Sequence, residues 1–227
     1  MAARAAIGRQ DLPDAANYLT KLLADLLADT NSPSDLKTQT RLAYGGVLMQ
    51  MDSPDTNRPA ANFELATNVF TQIIQDNPTN ESGALAWCEL AKCEMQLLNY
   101  DAATNAFAQV FDSPYADVSA RSEAETGFGL ALEKIAGTLT GTNRNDVLRL
   151  ALDSFLDVFY TWTGGNLHGG KFADPFWVRK AGLLALPLVE KLGMGDPDRF
   201  IDQMEALFPQ SKDSLEKKRA SLDAVKN

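Results

Sequence analysis

Residues 84–114 read ALAWCELAKCEMQLLNYDAATNAFAQVFDSP and contain the patterns of two amphipathic helices. The apolar face of the first is formed by Trp87, Leu90 and Ala91, and that of the second by Ala103, Phe107 and Val110. Residues three and four positions apart share one face of a helix. Ser113-Pro114 closes the segment, because proline cannot continue a helix. The stretch therefore predicts a helical hairpin.

The pattern of the second helix returns elsewhere in the chain. It is an alanine followed by bulky apolar residues four and seven positions later. The other copies are Ala15/Leu19/Leu22, Ala66/Phe70/Ile73 and Ala151/Phe155/Val158. The small residue lets a neighbouring helix approach, and the large ones fill the space beside it. Recurrence of one such unit along a chain is typical of a helical repeat array.

Composition excludes several functional classes. Of the 227 residues, 45% are hydrophobic, which is enough for a core. No apolar run approaches the roughly 20 residues needed to cross a bilayer, so we expect no transmembrane segment. Acidic residues outnumber basic ones by 30 to 21, giving a net charge of −9. A nucleic-acid-binding protein would carry a basic stripe, so we expect no nucleic-acid partner.

The two cysteines, Cys88 and Cys93, are predicted to be small apolar fillers. Five residues apart on one helix, their side chains diverge by about 140° and their Cα atoms lie about 8 Å apart. That separation is beyond the reach of a disulfide. Two diverging thiols and a single histidine also do not make a metal site.

The 84–114 segment resembles the tetratricopeptide repeat family. The residues in register with the family pattern are Trp87, Leu90, Ala91, Tyr100, Ala103 and Phe107. The departures are Glu94 in place of an aromatic residue, Val110 in place of the last alanine, and Pro114 one residue early. The resemblance implies an all-α fold, a right-handed α-α superhelix of about four to five helix pairs with a capping helix. Its long insertions between repeats are similar to those of bacterial members of the family.

The same register divides the chain into repeat-like units of one domain, 1–227. The units are 1–30, 35–78, 84–114, 120–160 and 174–209, followed by a capping helix at 213–226. Within them we expect a helix at Asp35 to Met51 capped by Ser32, a polar insertion at 138–145, and a capping box at Asp213 to Glu216. Because the first copy starts inside a helix, we expect the chain to be a segment of a longer protein, or one from which processing has removed upstream residues.

The resemblance also implies a set of partner-binding residues, because the first helices of the hairpins line a concave groove in this family. The corresponding positions are Leu85, Cys88, Lys92, Met95 and Gln96 in one unit and Glu123, Thr126, Leu130, Glu133 and Lys134 in the next. They contain no cluster of Lys and Arg. We therefore do not expect a clamp for a C-terminal carboxylate.

A glycine-rich segment, residues 160–172, supplies the last two candidates, Trp162 and His168. Gly165 to Lys171 matches the skeleton of a phosphate-binding loop, but Phe172 follows where magnesium coordination needs Ser or Thr. The segment also follows a helix instead of a strand. It is either a clamp for a bound peptide or a plug between two repeats.

These patterns predict a non-enzymatic scaffold that binds a peptide or protein segment, without catalytic, cofactor or metal residues. The alternative is an organising segment of a larger envelope-associated protein or assembly complex, without a peptide groove of its own. The sequence leaves the location open between the bacterial cytoplasm and the periplasm or cell envelope.

Overall fold

The computed structural model describes residues 2–53, 58, 60–161 and 174–226, and of 161 and 221–226 only the backbone. Within these residues the chain is helical and has no strand. The α-helices are α1 Ala2–Gly8, α2 Leu12–Ala28, α3 Ser34–Gln50, α4 Ala61–Asp76, α5 Glu81–Gln96, α6 Tyr100–Phe111, α7 Val118–Thr138, α8 Gly141–Thr161, α9 Pro175–Leu192, α10 Pro197–Leu207 and α11 Lys212–Lys226. A short 3₁₀ turn, Pro209–Ser211, precedes α11.

The helices pack against their neighbours in sequence. The chain forms two compact units, residues 1–120 and 121–227. In the first unit α1 packs on α2, α2 on α3, α3 on α4, α4 on α5 and α5 on α6; in the second, α8 packs on α9, α9 on α10 and α10 on α11. The prediction of an all-α fold built from consecutive helix pairs is confirmed.

Local sequence sets the ends of α9 and α10. The Asp174 carboxylate accepts a hydrogen bond from the Phe176 amide at 2.9 Å, and Asp196 accepts one from the Asp198 amide at 3.0 Å. Side-chain acceptors of this kind satisfy amides that have no partner within the helix. Gly193 ends α9 with φ of +62°, a conformation that glycine adopts without steric cost.

Three predicted helix boundaries are wrong. Residues 138–145 are not an inserted loop, because α7 continues to Thr138 and α8 already begins at Gly141. The polar residues there lie in the exposed first turn of α8, where no burial is required. Pro33, not Ser32, is the N-cap of α3, since the Ser32 hydroxyl is bonded to Asp29. Asp213 begins no capping box because it already lies inside α11.

The repeated triplets form the core, with one exception. The buried members are Ala15, Leu19, Ala66, Phe70, Ile73, Ala103, Phe107, Val110, Ala151, Phe155 and Val158. Leu22 is 41% exposed, so its predicted burial is wrong. The reason is the short α1, which at about 10 Å in length covers less than half of α2.

Two phenylalanines of the triplets fit against glycines of the preceding helix. A Cβ atom added to Gly45 of α3 would lie 2.5 Å from the Phe70 ring, and one added to Gly129 of α7 would lie 2.5 Å from the Phe155 ring. Real Cβ atoms do not approach so closely. In these hairpins, therefore, a glycine on the first helix makes room for the aromatic side chain on the second.

We expect Gly45→Ala to lower the free energy of unfolding by about 1–2 kcal/mol, because the added methyl group overpacks a buried ring. Gly46→Ala is the matched control, since no atom lies within 4 Å of its added Cβ. That change should raise the free energy of unfolding by about 0.5–1 kcal/mol, through the better helix propensity of alanine. Urea denaturation measures both. Equal effects would contradict the close approach of Phe70 to α3.

Candidate partner-binding groove

A groove runs between α3 and α5 in the 1–120 unit. It has a volume of about 380 Å³. It is lined by Leu42, Gly46, Met49 and Gln50 of α3 and by Leu85 and Glu89 of α5. We call this the α3–α5 groove. Its helices are the first helices of two successive hairpins, and α4 packs against both.

Helix α3 has one face that lines the groove and an adjoining face that packs in the core. Leu42, Gly46 and Met49 follow one another at intervals of four and three residues, which places them on one stripe of the helix. The adjoining stripe contains Gly45, which faces Phe70, and the buried Leu48. The core thus fixes the rotation of α3 and leaves the first stripe toward the groove.

Helix α5 is divided in the same way. Its buried residues are Gly83, Ala84, Ala86, Cys88, Ala91 and Cys93. Most of these are small, so neighbouring helices can approach closely. Leu85 and Glu89, four residues apart, lie on the remaining face and line the groove.

The chemistry of the groove suits an apolar side chain. Leu42 and Met49 are half-buried, and Leu85 is 41% exposed. Gly46 contributes no side chain, and no atom lies within 4 Å of where its Cβ would be. Methionine adapts its shape readily to different apolar partners. An incoming leucine, methionine or phenylalanine would replace water against this surface.

An ion pair borders the groove. The Lys92 ammonium donates a hydrogen bond to Glu89 Oε1 at 2.7 Å, one helical turn away. Both side chains are partly withdrawn from solvent. Because a carboxylate of its own helix already partners this lysine, Lys92 is a poor clamp for an incoming carboxylate.

The thiols of α5 are buried and form no disulfide. Burial, followed by the nearby Glu89 and Glu94 carboxylates, raises the pKa of Cys93 to about 12. This thiol is therefore protonated at neutral pH, whereas nucleophilic cysteines react as thiolates. The predicted burial of both cysteines is confirmed. The assignment of Cys88 to the groove surface is wrong, because Cys88 is fully buried.

The predicted site residues lie in different parts of the structure. Lys92 is hydrogen-bonded to Glu89, which lines the groove. Met95 and Gln96 lie further along α5, where Met95 is half-buried and Gln96 is exposed. On α7, Glu123, Leu130 and Glu133 are half-buried and Lys134 is exposed. Trp162 and His168 lie outside the described residues.

One of the predicted groove positions on α7 is wrong. Thr126 is fully buried, and its hydroxyl donates to the Ser122 carbonyl at 2.8 Å. The Ser122 hydroxyl in turn accepts a hydrogen bond from the Asp174 amide at the start of α9, at 3.2 Å. This face of α7 is thus an internal polar layer of the 121–227 unit.

The same layer contains an unusual carboxyl group. Glu125 is 7% exposed, and its Oε2 has no hydrogen-bond partner within the described part of the chain. Burial, followed by the charge of Asp157, raises the pKa of Glu125 to about 8. At neutral pH this carboxyl group is mostly protonated. The sequence gives no sign of this, because burial of a single glutamate depends on how α7 packs.

The α3 side of the groove, lined by Leu42, Gly46 and Met49, was not predicted from the sequence. Groove positions were assigned only to the hairpin at 84–114 and the one after it, and not to the helix predicted at 35–51. Extending the same helical register to that earlier helix would have indicated Leu42, Gly46 and Met49. The spacing of these residues was the available signal.

Neither a metal-binding cluster nor a membrane-spanning helix is present within the described residues. No three His, Cys, Asp or Glu side chains gather there closely enough to hold a metal ion. No described helix combines the length and the hydropathy required to cross a bilayer.

No family model matches the chain, and no curated protein gives a significant match.

Proposed function

We propose that this protein is a non-enzymatic interaction scaffold that binds a peptide or protein segment in the α3–α5 groove. The observation that carries the proposal is the concave surface lined by Leu42, Gly46 and Met49 of α3 and by the exposed Leu85 of α5. A concave apolar surface with a few polar groups at its edge is the usual form of a binding site. An amphipathic segment would lay its apolar face into such a groove.

The resemblance to tetratricopeptide repeats supports the same function. We propose that the chain is a divergent array of this type and that its hairpins follow a right-handed superhelix. In that family the first helices of the hairpins present the binding surface, and α3 and α5 are the first helices of their hairpins. A crystal structure of the full chain with its hairpins stacked in the opposite hand would contradict this assignment.

Leu85→Ser should weaken binding of a groove-directed peptide by at least about tenfold, because a buried leucine anchor contributes about 1.5–3 kcal/mol. The peptides would be selected from a random library displayed on phage, using the full chain as bait. Their dissociation constants would then be measured by isothermal titration calorimetry. Leu65→Ser is the matched control, since Leu65 is 50% exposed on α4 and does not line the groove. It should change the affinity less than about twofold, as surface substitutions usually do.

Two outcomes would count against the scaffold. If the selected peptides bind the Leu85→Ser and Leu65→Ser variants equally well, the groove is not their binding site. If the selection yields no binding peptide, the alternative of an organising segment within a larger assembly becomes the better account.

A further inference from the structure

We propose that the partner seated in the α3–α5 groove is a basic amphipathic segment. It carries an apolar anchor residue and, one to two helical turns away, lysine or arginine. This inference rests on the proposed function and adds the chemical class of the partner. It follows from the charge of the 1–120 unit and from where that charge lies.

Negative charge is concentrated in one of the two units. Residues 1–120 contain fifteen Asp and Glu against seven Lys and Arg, a net charge of −8. Residues 121–227 are almost balanced, with a net charge of −1. The groove therefore lies in the unit that attracts cations. Such a field accelerates association with an oppositely charged partner and selects against others.

Internal ion pairs already engage several of the few cations of this unit. Arg41 pairs with Asp76, Arg58 with Glu64 and Lys92 with Glu89. Each pair neutralises one basic side chain with one of the unit's own carboxylates. These pairings leave the net charge of −8 on the unit unchanged.

Each of the two groove helices carries a carboxylate in its first turn, before its groove-lining residues. Asp35 lies in the first turn of α3 and Glu81 in the first turn of α5, and both are exposed. Glu81 is one turn before Leu85, about 6 Å along the helix axis, and Asp35 is about 10 Å before Leu42. A cation four to seven residues from the anchor of a bound helix would reach these carboxylates. The partner should therefore carry its lysine or arginine one to two helical turns from its apolar anchor.

Charge also disfavours the other occupants of an apolar groove. A second copy of the chain would bring another unit with a net charge of −8 against the first. An acidic segment would meet Asp35 and Glu81, whereas Lys92 is already paired with Glu89. A basic amphipathic segment is the occupant whose apolar face matches the lining of the groove and whose charge is opposite to that of Asp35 and Glu81.

The test uses three synthetic peptides of about 18 residues, long enough to form a helix. The first has leucines on one helical face and lysines on the other. The second replaces every lysine with glutamate, and the third replaces every leucine with glutamine. Binding of each to the full chain is measured by calorimetry at low and high salt, alongside the sedimentation of the chain alone.

We expect only the leucine–lysine peptide to bind, with an affinity that falls as salt is added. The double variant Asp35→Asn/Glu81→Gln should weaken the affinity for this peptide about fivefold, as expected for the loss of two ion pairs at the rim of a binding site. Asp101→Asn/Asp112→Asn removes the same charge from exposed positions on and next to α6, outside the groove. This matched control should change the affinity less than about twofold, because its carboxylates are more distant.

Other outcomes would overturn the inference. Equal weakening by the two double variants would mean that net charge alone attracts the peptide. Binding of the glutamate peptide that depends on Leu85 would leave the proposed function standing and refute the basic partner. Self-association of the chain that Leu85→Ser abolishes would identify a second copy as the occupant. If no peptide depends on Leu85, the proposed function fails as well.

Discussion

Phe155→Ala should lower the free energy of unfolding by about 3–5 kcal/mol, as is usual for a phenylalanine removed from a core. Phe155 is fully buried in the core of the 121–227 unit, and its ring touches Gly129 of the neighbouring helix. The glycine has no side chain to move into the vacated space, so the cavity would persist. Urea denaturation followed by circular dichroism measures the loss.

The control is Leu150→Ala on the same helix. Leu150 is 55% exposed, and its truncation should change the free energy of unfolding by less than about 0.5 kcal/mol. If Phe155→Ala were no more harmful than this control, the triplets would not form the core, and the repeat interpretation would lose its physical basis.

Glu125→Gln should stabilise the protein at alkaline pH and have little effect at acid pH. The folded state holds the pKa of Glu125 at about 8 against an ordinary value of 4.5, so between these values the folded state binds more protons than the unfolded state. Stability is therefore fully present below about pH 4.5 and is lost as the pH rises to 8. At about 1.4 kcal/mol per pKa unit, the loss amounts to a few kcal/mol and is at most about 5.

Urea denaturation at several values between pH 5 and pH 8.5 would measure this slope. In the glutamine variant the slope should be reduced, and the gain in stability should grow with pH. Glu190→Gln, at an exposed position on α9, serves as the control and should leave the slope unchanged. A glutamine variant with the same pH dependence as the original protein would show that Glu125 is not held protonated.

The sequence predicted most of the fold, because helix pairs leave a periodic signal. An alanine followed by large apolar residues four and seven positions later indicates a helix with one buried stripe. Phe70, Phe107 and Phe155 lie on such stripes and are buried. Leu22 matched the pattern equally well and is exposed. Its burial depends on the length of the neighbouring helix, which the local pattern does not contain.

Helix boundaries were harder to predict for a similar reason. The polar residues at 141–145 look like a loop, yet they form an exposed first turn of α8. A solvated turn of helix needs no apolar residue, so its composition is that of a loop.

The candidate site was predicted only in part. The family register indicated Leu85 and Lys92 as groove positions. It also indicated Cys88, whose side chain is buried in the core by the packing of α5. The α3 half of the groove and the protonation of Glu125 both arise from contacts between helices. Such contacts are set by tertiary packing, and a pattern along one helix does not report them.

The most direct measurement is methyl NMR of the full chain during titration with a peptide selected from the displayed library. If the α3–α5 groove is the binding surface, the methyl signals of Leu42, Met49 and Leu85 should shift together and saturate at one equivalent of peptide. The signals of Leu65 and Leu150 should stay in place. Saturable shifts at those two leucines, with the three groove residues unchanged, would contradict the assignment of this surface.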